Sequence, residues 1–265
     1  MDSKSVKKLL RIYKNSLFEG RNVYLACKEI AKMTKYKVFM ALTANILNNG
    51  TYDLLFSLIE KNMVHVVVTT GDFVVYDILR TLIGKDLNEK AFTAEDEETI
   101  KNFIGQIALE NCGATIPPSK FIKIIGEKLG FNSILGQAAR NNVHFYAPTI
   151  CDSLIGIYCT DIHVDSLKDV YNINYECFFV KKTGAIILGT SVIKHTVLNA
   201  NLFKNGLNSC VIVNTCNEVD GSDSGGDVDE AISWGKIRGN TTSVKIRADP
   251  SVIFPIIGSY WLSKV

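Results

Sequence analysis

Six short apolar runs, each set apart from the next by an amphipathic or polar stretch, constrain the fold of this chain more than any other feature. They are KVFMALT (Lys37 to Thr43), VHVVVTT (Val64 to Thr70), VHFYAP (Val143 to Pro148), AIILGT (Ala185 to Thr190), SCVIVNT (Ser209 to Thr215) and SVKIRAD (Ser243 to Asp249). Their shortness and β-branched content mark them as buried strands. Between them, YDLLFSLIEKN, SKFIKIIGEKLG and VIKHTVLNANLFKNG repeat apolar residues at three- and four-residue steps and carry Asn or Gly at their ends, the pattern of helices. Strand and helix in alternation predict an α/β fold, a largely parallel sheet with helices on both faces, because parallel strands need crossover connections. With 265 residues, no internal repeat and no linker-like stretch, residues 1–265 are read as a single domain.

Composition narrows the function. Hydrophobic residues make up 47% of the chain and charged residues 21%, enough apolar surface for a large core. The formal net charge is +2, and no basic stripe suited to a phosphate backbone interrupts the mixed charges, so nucleic acid is not expected as a direct partner. No signal-peptide pattern and no apolar run of spanning length are present, which predicts a cytoplasmic protein without a membrane partner. The seven cysteines lack a CxxC pair or a histidine at ligand spacing and are read as reduced core residues. Cys151 and Cys159 belong to that reading, as packing residues, and no metal site is expected. The charged stretch from Gly84 to Asn102 reads as a surface connection, with a capped helix starting near Thr99.

In open parallel sheets ligands bind beyond the carboxyl ends of the strands. Those ends read TAN (Thr43 to Asn45), TTGD (Thr69 to Asp72), GT (Gly189, Thr190), NT (Asn214, Thr215) and AD (Ala248, Asp249). Small polar residues there let a backbone approach a phosphate or ribose, and they equally serve as helix caps. The GxGxxG fingerprint is absent, so the fold is Rossmann-like rather than that of an ordinary Rossmann dehydrogenase.

The segment DGSDSGGDVDEAISWGK, Asp220 to Lys236, concentrates carboxylates, glycines, a tryptophan and a lysine. On composition alone it is a solvated turn followed by a helix whose acidic start and cationic end suit the macrodipole. Its chemistry also suits a polycation: carboxylates anchor ammonium groups, and an indole covers the chain between them. A lysine becomes a nucleophile when desolvation or neighbouring cations favour its neutral amine.

The segment NEVDGSDSGGDVDEAISWGKI, with IILGTSVIKHTVLNANLFKNG upstream and VKIRADPSVIFP downstream, closely resembles the signature of the deoxyhypusine synthase family. LLRIYKN, LTANILNNG, VVVTTGD, PPSKFIKIIGEKLG and FYAPTICDSLIG extend the resemblance, more weakly, over most of the chain. It implies NAD-dependent transfer of an aminobutyl group from spermidine to one lysine of eukaryotic translation initiation factor 5A, in tetramers whose active sites form between two subunits. Lys236 matches the lysine that forms the covalent imine. His195 matches the histidine at the reactive amine, a proton acceptor suited to neutral pH, although alone it reads as a helix-face histidine. Gly221, Ser222, Asp223, Glu230 and Trp234 match polyamine-binding positions. Asn45, Asn48, Thr70, Gly71, Asp152, Gly189, Thr190, Thr215, Asp220 and Asp249 match positions around NAD.

The chain departs from the family in its first part. Where the family reads TTAGGVEED this chain has TTGDFVVYD, placing Val75 and Tyr76 at two expected glutamates. The family's TDGSLGD becomes CDSLIGI, which keeps Asp152 and puts Ile157 in place of an aspartate that holds one end of spermidine. The family's N-terminal extension, and a segment between roughly Asn88 and Asn111, are also missing. Asp72 and Asp77 are candidates to replace the glutamates. Three readings follow from the resemblance: a reduced but active synthase, a lysine-bearing subunit of a hetero-tetramer completed by a paralogue, and a noncatalytic regulatory relative. A homospermidine-synthase-like transferase is a further enzyme reading. Retention of Lys236 between its carboxylates weighs against the noncatalytic one.

Overall fold

All six apolar runs form strands of one parallel sheet. The computed structural model describes residues 3–84 and 92–264; the side chains of Ser3, Lys4, Lys7, Asn48, Asn49 and Asp220 lie outside the described residues. In chain order the strands are β1 (Lys37–Leu42), β2 (Val66–Val68), β3 (Thr115–Ile116), β4 (His144–Tyr146), β5 (His163–Val164), β6 (Thr183–Leu188), β7 (Ser209–Asn214) and β8 (Val244–Arg247). The main sheet has the order β4-β2-β1-β6-β7-β8, and β3 pairs with β5 alone. Every pairing is parallel, with Met40 of β1 opposite Val67 of β2 on one side and Ile186 of β6 on the other. The two-residue strands β3 and β5 are too short to leave a pattern in sequence.

Alternation along β1 shows why these strands read as continuous apolar runs. Val38, Met40 and Leu42 face one core, which they share with the helices Phe18–Lys32, Tyr52–Glu60, Gly71–Ile83 and Pro250–Leu262. Phe39 and Ala41 face a second core, shared with the helices Ser166–Phe178, Ser191–Ala200 and Val228–Ser233. Both faces of the pleat are therefore buried, and each fully buried side chain contributes about 1.5–3 kcal/mol of transfer free energy. This is a Rossmann-like α/β fold.

Strand order fixes where a ligand crevice can lie. The chain builds outward from β1 through β2 to β4, then returns to the other side of β1 with β6 and continues to β8. Loops beyond β1 and β6 thus leave the sheet in opposite directions, opening a crevice at the carboxyl edge.

Two expectations need correction. The helix placed near Thr99 is Ala94–Glu110, opened by a capping box: Asp96 N–H donates to Thr93 Oγ1 at 3.3 Å and Thr93 N–H to Asp96 Oδ2 at 2.8 Å. Its reciprocal bonds satisfy donors that a start at Thr99 would have left in the preceding turn. Residues 85–91 of that connection lie outside the described residues. Of the seven cysteines only Cys27, Cys177 and Cys210 are buried, and burial pushes their thiols up to about 12. Cys112 and Cys151 are exposed and Cys159 and Cys216 half-buried, because all four sit in turns and loops outside the strands and helices. Among the described residues no helix is long and apolar enough to cross a membrane, and no three His, Cys, Asp or Glu side chains converge to hold a metal ion.

Candidate active site

The lysine of the acidic segment is placed by a helix ending. Asp227 opens the helix Val228–Ser233, its side chain accepting from the Glu230 N–H at 2.9 Å. Six residues later the helix closes in a Schellman motif, with Gly235 N–H donating to Ile232 O and Lys236 N–H to Ala231 O, both at 2.9 Å. Gly235 has φ +73°, a conformation that glycine adopts without a Cβ penalty. Leu207 N–H then donates to the Lys236 carbonyl at 3.0 Å, and Arg238 N–H to the Leu207 carbonyl at 3.1 Å. The backbone of Lys236 is held from both sides, leaving only its side chain free to move.

That side chain is 14% exposed and enters a hollow of about 330 Å³ lined by Glu218, Gly221, Ser222, Asp223, Glu230 and Trp234. Asp223 faces two bases at once: Oδ1 is 3.7 Å from Lys236 Nζ, and Oδ2 is 3.8 Å from His195 Nδ1. On the helix Ser191–Ala200, His195 Nε2 lies 2.7 Å from the Asn199 amide one turn on. With Asn199 donating, the ring proton sits on Nδ1, toward Asp223. Trp234 stands at the rim, 67% exposed, with its indole face available to whatever enters. The structure therefore brings together Gly221, Ser222, Asp223, Glu230, Trp234 and Lys236, and sets His195 beside them through Asp223.

The residues matched to NAD lie along the carboxyl edge of the sheet. Asn45 is in the turn Ala44–Ile46 beyond β1, and Gly189 and Thr190 follow β6 directly, so they flank the crevice. Gly189 has φ +130° and donates to the Val213 carbonyl at 2.9 Å, which draws the β6 turn against β7. Beyond β2, Thr70 precedes the helix Gly71–Ile83. A Cβ on Gly71 would collide with the Ser153 side chain and lie 2.8 Å from the Ile150 carbonyl, so this glycine lets the turn bearing Asp152 approach. The approach is felt electrostatically: burial, then the Asp152 charge, push the Asp72 carboxyl above its ordinary range. Thr215 is exposed beyond β7, and Asp249 beyond β8 caps the helix Pro250–Leu262, accepting from Ser251 N–H at 2.8 Å. Asp249 thus already has the capping role that sequence offered as its alternative. The side chains of Asn48 and Asp220 lie outside the described residues. One buried polar atom at this edge is orphaned: Thr69 Oγ1, at the end of β2, has no hydrogen-bond partner.

The positions that depart from the family take structural roles or none. Tyr76 is 1% exposed and Val75 packs against the larger core. Asp77 is fully buried, accepting from Tyr52 OH at 2.6 Å, Leu135 N–H at 2.8 Å and Ile134 N–H at 3.2 Å, with its carboxyl pushed up by burial. It anchors the start of the helix Ile134–Arg140 and cannot replace a lost glutamate. Asp72 remains exposed. Ile157 is 63% exposed on the short helix Leu154–Tyr158.

Sequence reasoning missed three residues around the hollow: Asn199, which orients His195, and the lysines Lys194 and Lys245, both enclosed beneath the acidic loop. Lys194 left a signal, since it shares a helix face with Val197 and Leu198, three and four residues on.

The chain matches the family described as deoxyhypusine synthase over residues 8–108 and 87–261. It is 35% identical over 289 residues to the deoxyhypusine synthase of Encephalitozoon cuniculi, covering 97% of this chain and 86% of that protein. It is also 30% identical over 266 residues to homospermidine synthase 2 of Senecio vernalis, covering 87% of this chain and 72% of that protein. A crystal structure from Entamoeba histolytica, provisionally assigned to deoxyhypusine synthase, superposes with a TM-score of 0.75 at 24% identity, covering 98% of this chain and 95% of that one. That last likeness is one of fold.

Proposed function

The chain belongs to the deoxyhypusine synthase family, and we propose that it transfers the aminobutyl group of spermidine to a lysine of eukaryotic translation initiation factor 5A through a covalent imine on Lys236. The observation that carries this reading is the enclosure of Lys236 in one hollow with Asp223, Glu230 and Trp234, with His195 on the far side of Asp223. A polyamine there would find carboxylates for its ammonium groups and an indole face along its methylene chain. His195 would take a proton from a substrate amine at Nε2, displacing the Asn199 amide that donates there, and Asp223, facing Nδ1, would stabilise the imidazolium that results. The Lys236 amine would then attack the carbon of the oxidised polyamine; diaminopropane leaves, and the same carbon passes to the acceptor lysine. Confinement of the Lys236 backbone on both sides would limit the search of its amine for that carbon to side-chain rotation.

NAD would supply the hydride acceptor that oxidises the polyamine and the hydride that later reduces the product. The carboxyl edge suits a dinucleotide: the crevice lies at the reversal of strand order, Gly71 brings the turn bearing Asp152 up to it, and Thr69 Oγ1 awaits a partner. Asn45, Thr70, Gly71, Asp152, Gly189, Thr190, Thr215 and Asp249 are the residues that would hold it, with Asn48 and Asp220 carried over from the resemblance alone.

A second reading concerns assembly. Tyr76 and Val75 are packed into the core and Ile157 presents an apolar side chain, so this chain offers no carboxylate at those three positions. In a family whose sites form between subunits, the lysine half of this chain would then be completed by a paralogue, in a cytoplasmic hetero-tetramer rather than a homo-tetramer. Borohydride trapping with labelled spermidine and NAD decides among these. Label is expected on Lys236 of the wild type, passing to initiation factor 5A when it is added, and none on Lys236→Ala. Labelling only when a paralogous subunit is present selects the hetero-tetramer; transfer to a small amine instead of the protein selects a homospermidine-synthase-like reaction. Absence of label under every condition overturns the reading.

A further inference from the structure

Lys194 is 2% exposed, and its ammonium group is enclosed by the backbone of the acidic loop. Nζ donates to the Asp223 carbonyl, to the Gly226 carbonyl at 2.9 Å and to the Ser224 carbonyl at 3.5 Å. Three donors thus meet three acceptors, which is what a buried ammonium requires if it is not to be a large penalty. Burial nonetheless draws its pKa below the ordinary lysine value, against the opposing pull of the Asp223 charge. A second enclosed lysine, Lys245 on β8, donates to the Gly225 carbonyl at 2.6 Å and lies 3.4 Å from Glu218. Ser224 Oγ accepts from the Ser191 N–H at 3.2 Å, and Ser191 itself holds φ +58°, unusual for a residue with a Cβ. The loop is closed tightly enough that a Cβ at Gly225 would collide with the Asn217 carbonyl, and one at Gly226 with the Glu230 carboxylate.

This arrangement separates the loop's two kinds of oxygen. Its carbonyls turn inward onto lysines, while the Asp223 carboxylate is left to the hollow, facing Lys236 and His195. We propose that Lys194 is a positioning residue: by gripping the carbonyls of Asp223, Ser224 and Gly226 it fixes the Asp223 carboxylate between Lys236 and His195 without neutralising it, so that the charge remains available to a cationic substrate. That the substrate is a polyamine rests on the function proposed above; the grip on the loop does not.

Two measurements on the full chain test the idea. The first is amide hydrogen exchange of residues 221–227 with no ligand added. Lys194→Met is expected to speed exchange there by about tenfold or more, with the amides of β6 and β7 unchanged, and Lys194→Arg to restore much of the protection. Exchange unaltered by Lys194→Met overturns the proposal, whatever the substrate proves to be. The second is a double-mutant cycle on spermidine affinity measured by calorimetry with NAD present. Lys194→Met and Asp223→Asn are each expected to weaken binding about tenfold and the double variant little more than either, because one acts through the other. Losses that multiply to about a hundredfold would mean independent roles and sink the proposal. If wild type binds no spermidine, the functional reading falls while the exchange result still decides the role of Lys194. Should Lys194→Met fail to fold, Lys194→Gln, which keeps an amide donor, is measured in the same way.

Discussion

Beyond β6, β7 and β8 the enclosed charges are cations, Lys194 and Lys245, and the carboxylates of Asp223 and Glu230 stand exposed. In the half built on β1, β2 and β4 the arrangement is reversed. There Asp77, Asp169 and Glu176 are enclosed, and Ile157 is exposed where a ligand-binding acid was expected. Asp77 holds Tyr52 and the start of a helix, Asp169 accepts from the Ser119 N–H at 2.7 Å, and Glu176 is bound by His144, Lys37 and Tyr146. A carboxylate serves a substrate only where the fold does not already require it. The lysine half meets that condition at Asp223 and Glu230; the other half commits Asp77, Asp169 and Glu176 to its own packing and leaves only Asp72 and Asp152 exposed among the acids named for it, although both halves belong to one sheet.

The contrast breaks most readily at Asp77. Asp77→Ala leaves the Tyr52 hydroxyl and the Leu135 N–H without their acceptor, while Ile134 N–H keeps the Tyr52 oxygen at 3.1 Å, and a stability loss of about 3 kcal/mol is expected in urea denaturation. Asp223→Asn, at an exposed position, is expected to change stability by less than about 0.5 kcal/mol. Equal losses would erase the distinction between the halves.

Glu176 sharpens the comparison through pH. Burial raises its carboxyl, but hydrogen bonds from His144 and Lys37 outweigh burial and hold it down to about 2, against an ordinary value of 4.5. Because the folded value lies below the unfolded one, its contribution is complete above about pH 4.5 and is lost as pH falls through about 2. Melting temperatures across that window should fall more steeply for wild type than for Glu176→Gln; parallel curves would show that this carboxylate is not held by its neighbours.

The smallest effect is expected at Ile157. Its side chain is exposed, so Ile157→Asp should alter stability by no more than about 0.5 kcal/mol, while tightening spermidine binding about twofold to fivefold if it restores an ammonium partner. A large stability loss would show that Ile157 is packed against something in the working assembly.

Much of the fold was legible because two-sided burial leaves an unmistakable trace: all six apolar runs are strands, with ends within about two residues of those read. The pair β3 and β5 left none, and the true start of the helix at Ala94 is masked by acids that read as loop, although Thr93 and Asp96 form its capping box. The hollow was legible for a different reason. Gly221 to Lys236 are neighbours in sequence, so their convergence needed no tertiary knowledge. His195 could be joined to them only by resemblance. Lys194 and the burial of Tyr76 and Asp77 were not read, because a buried ion or hydroxyl is recognised by its partners, and those partners are backbone groups and side chains many residues away.

The Schellman closure after Ser233 carries one more consequence, for insertions and deletions. Each added helical residue advances the chain about 1.5 Å and rotates it about 100°, so one extra residue between Asp227 and Gly235 would swing the Lys236 amine out of the hollow. A change of side chain along those residues leaves the amine in register, whereas a change in their number does not. The short helix acts as a gauge of fixed length, measuring the Lys236 amine from the acidic loop that faces it.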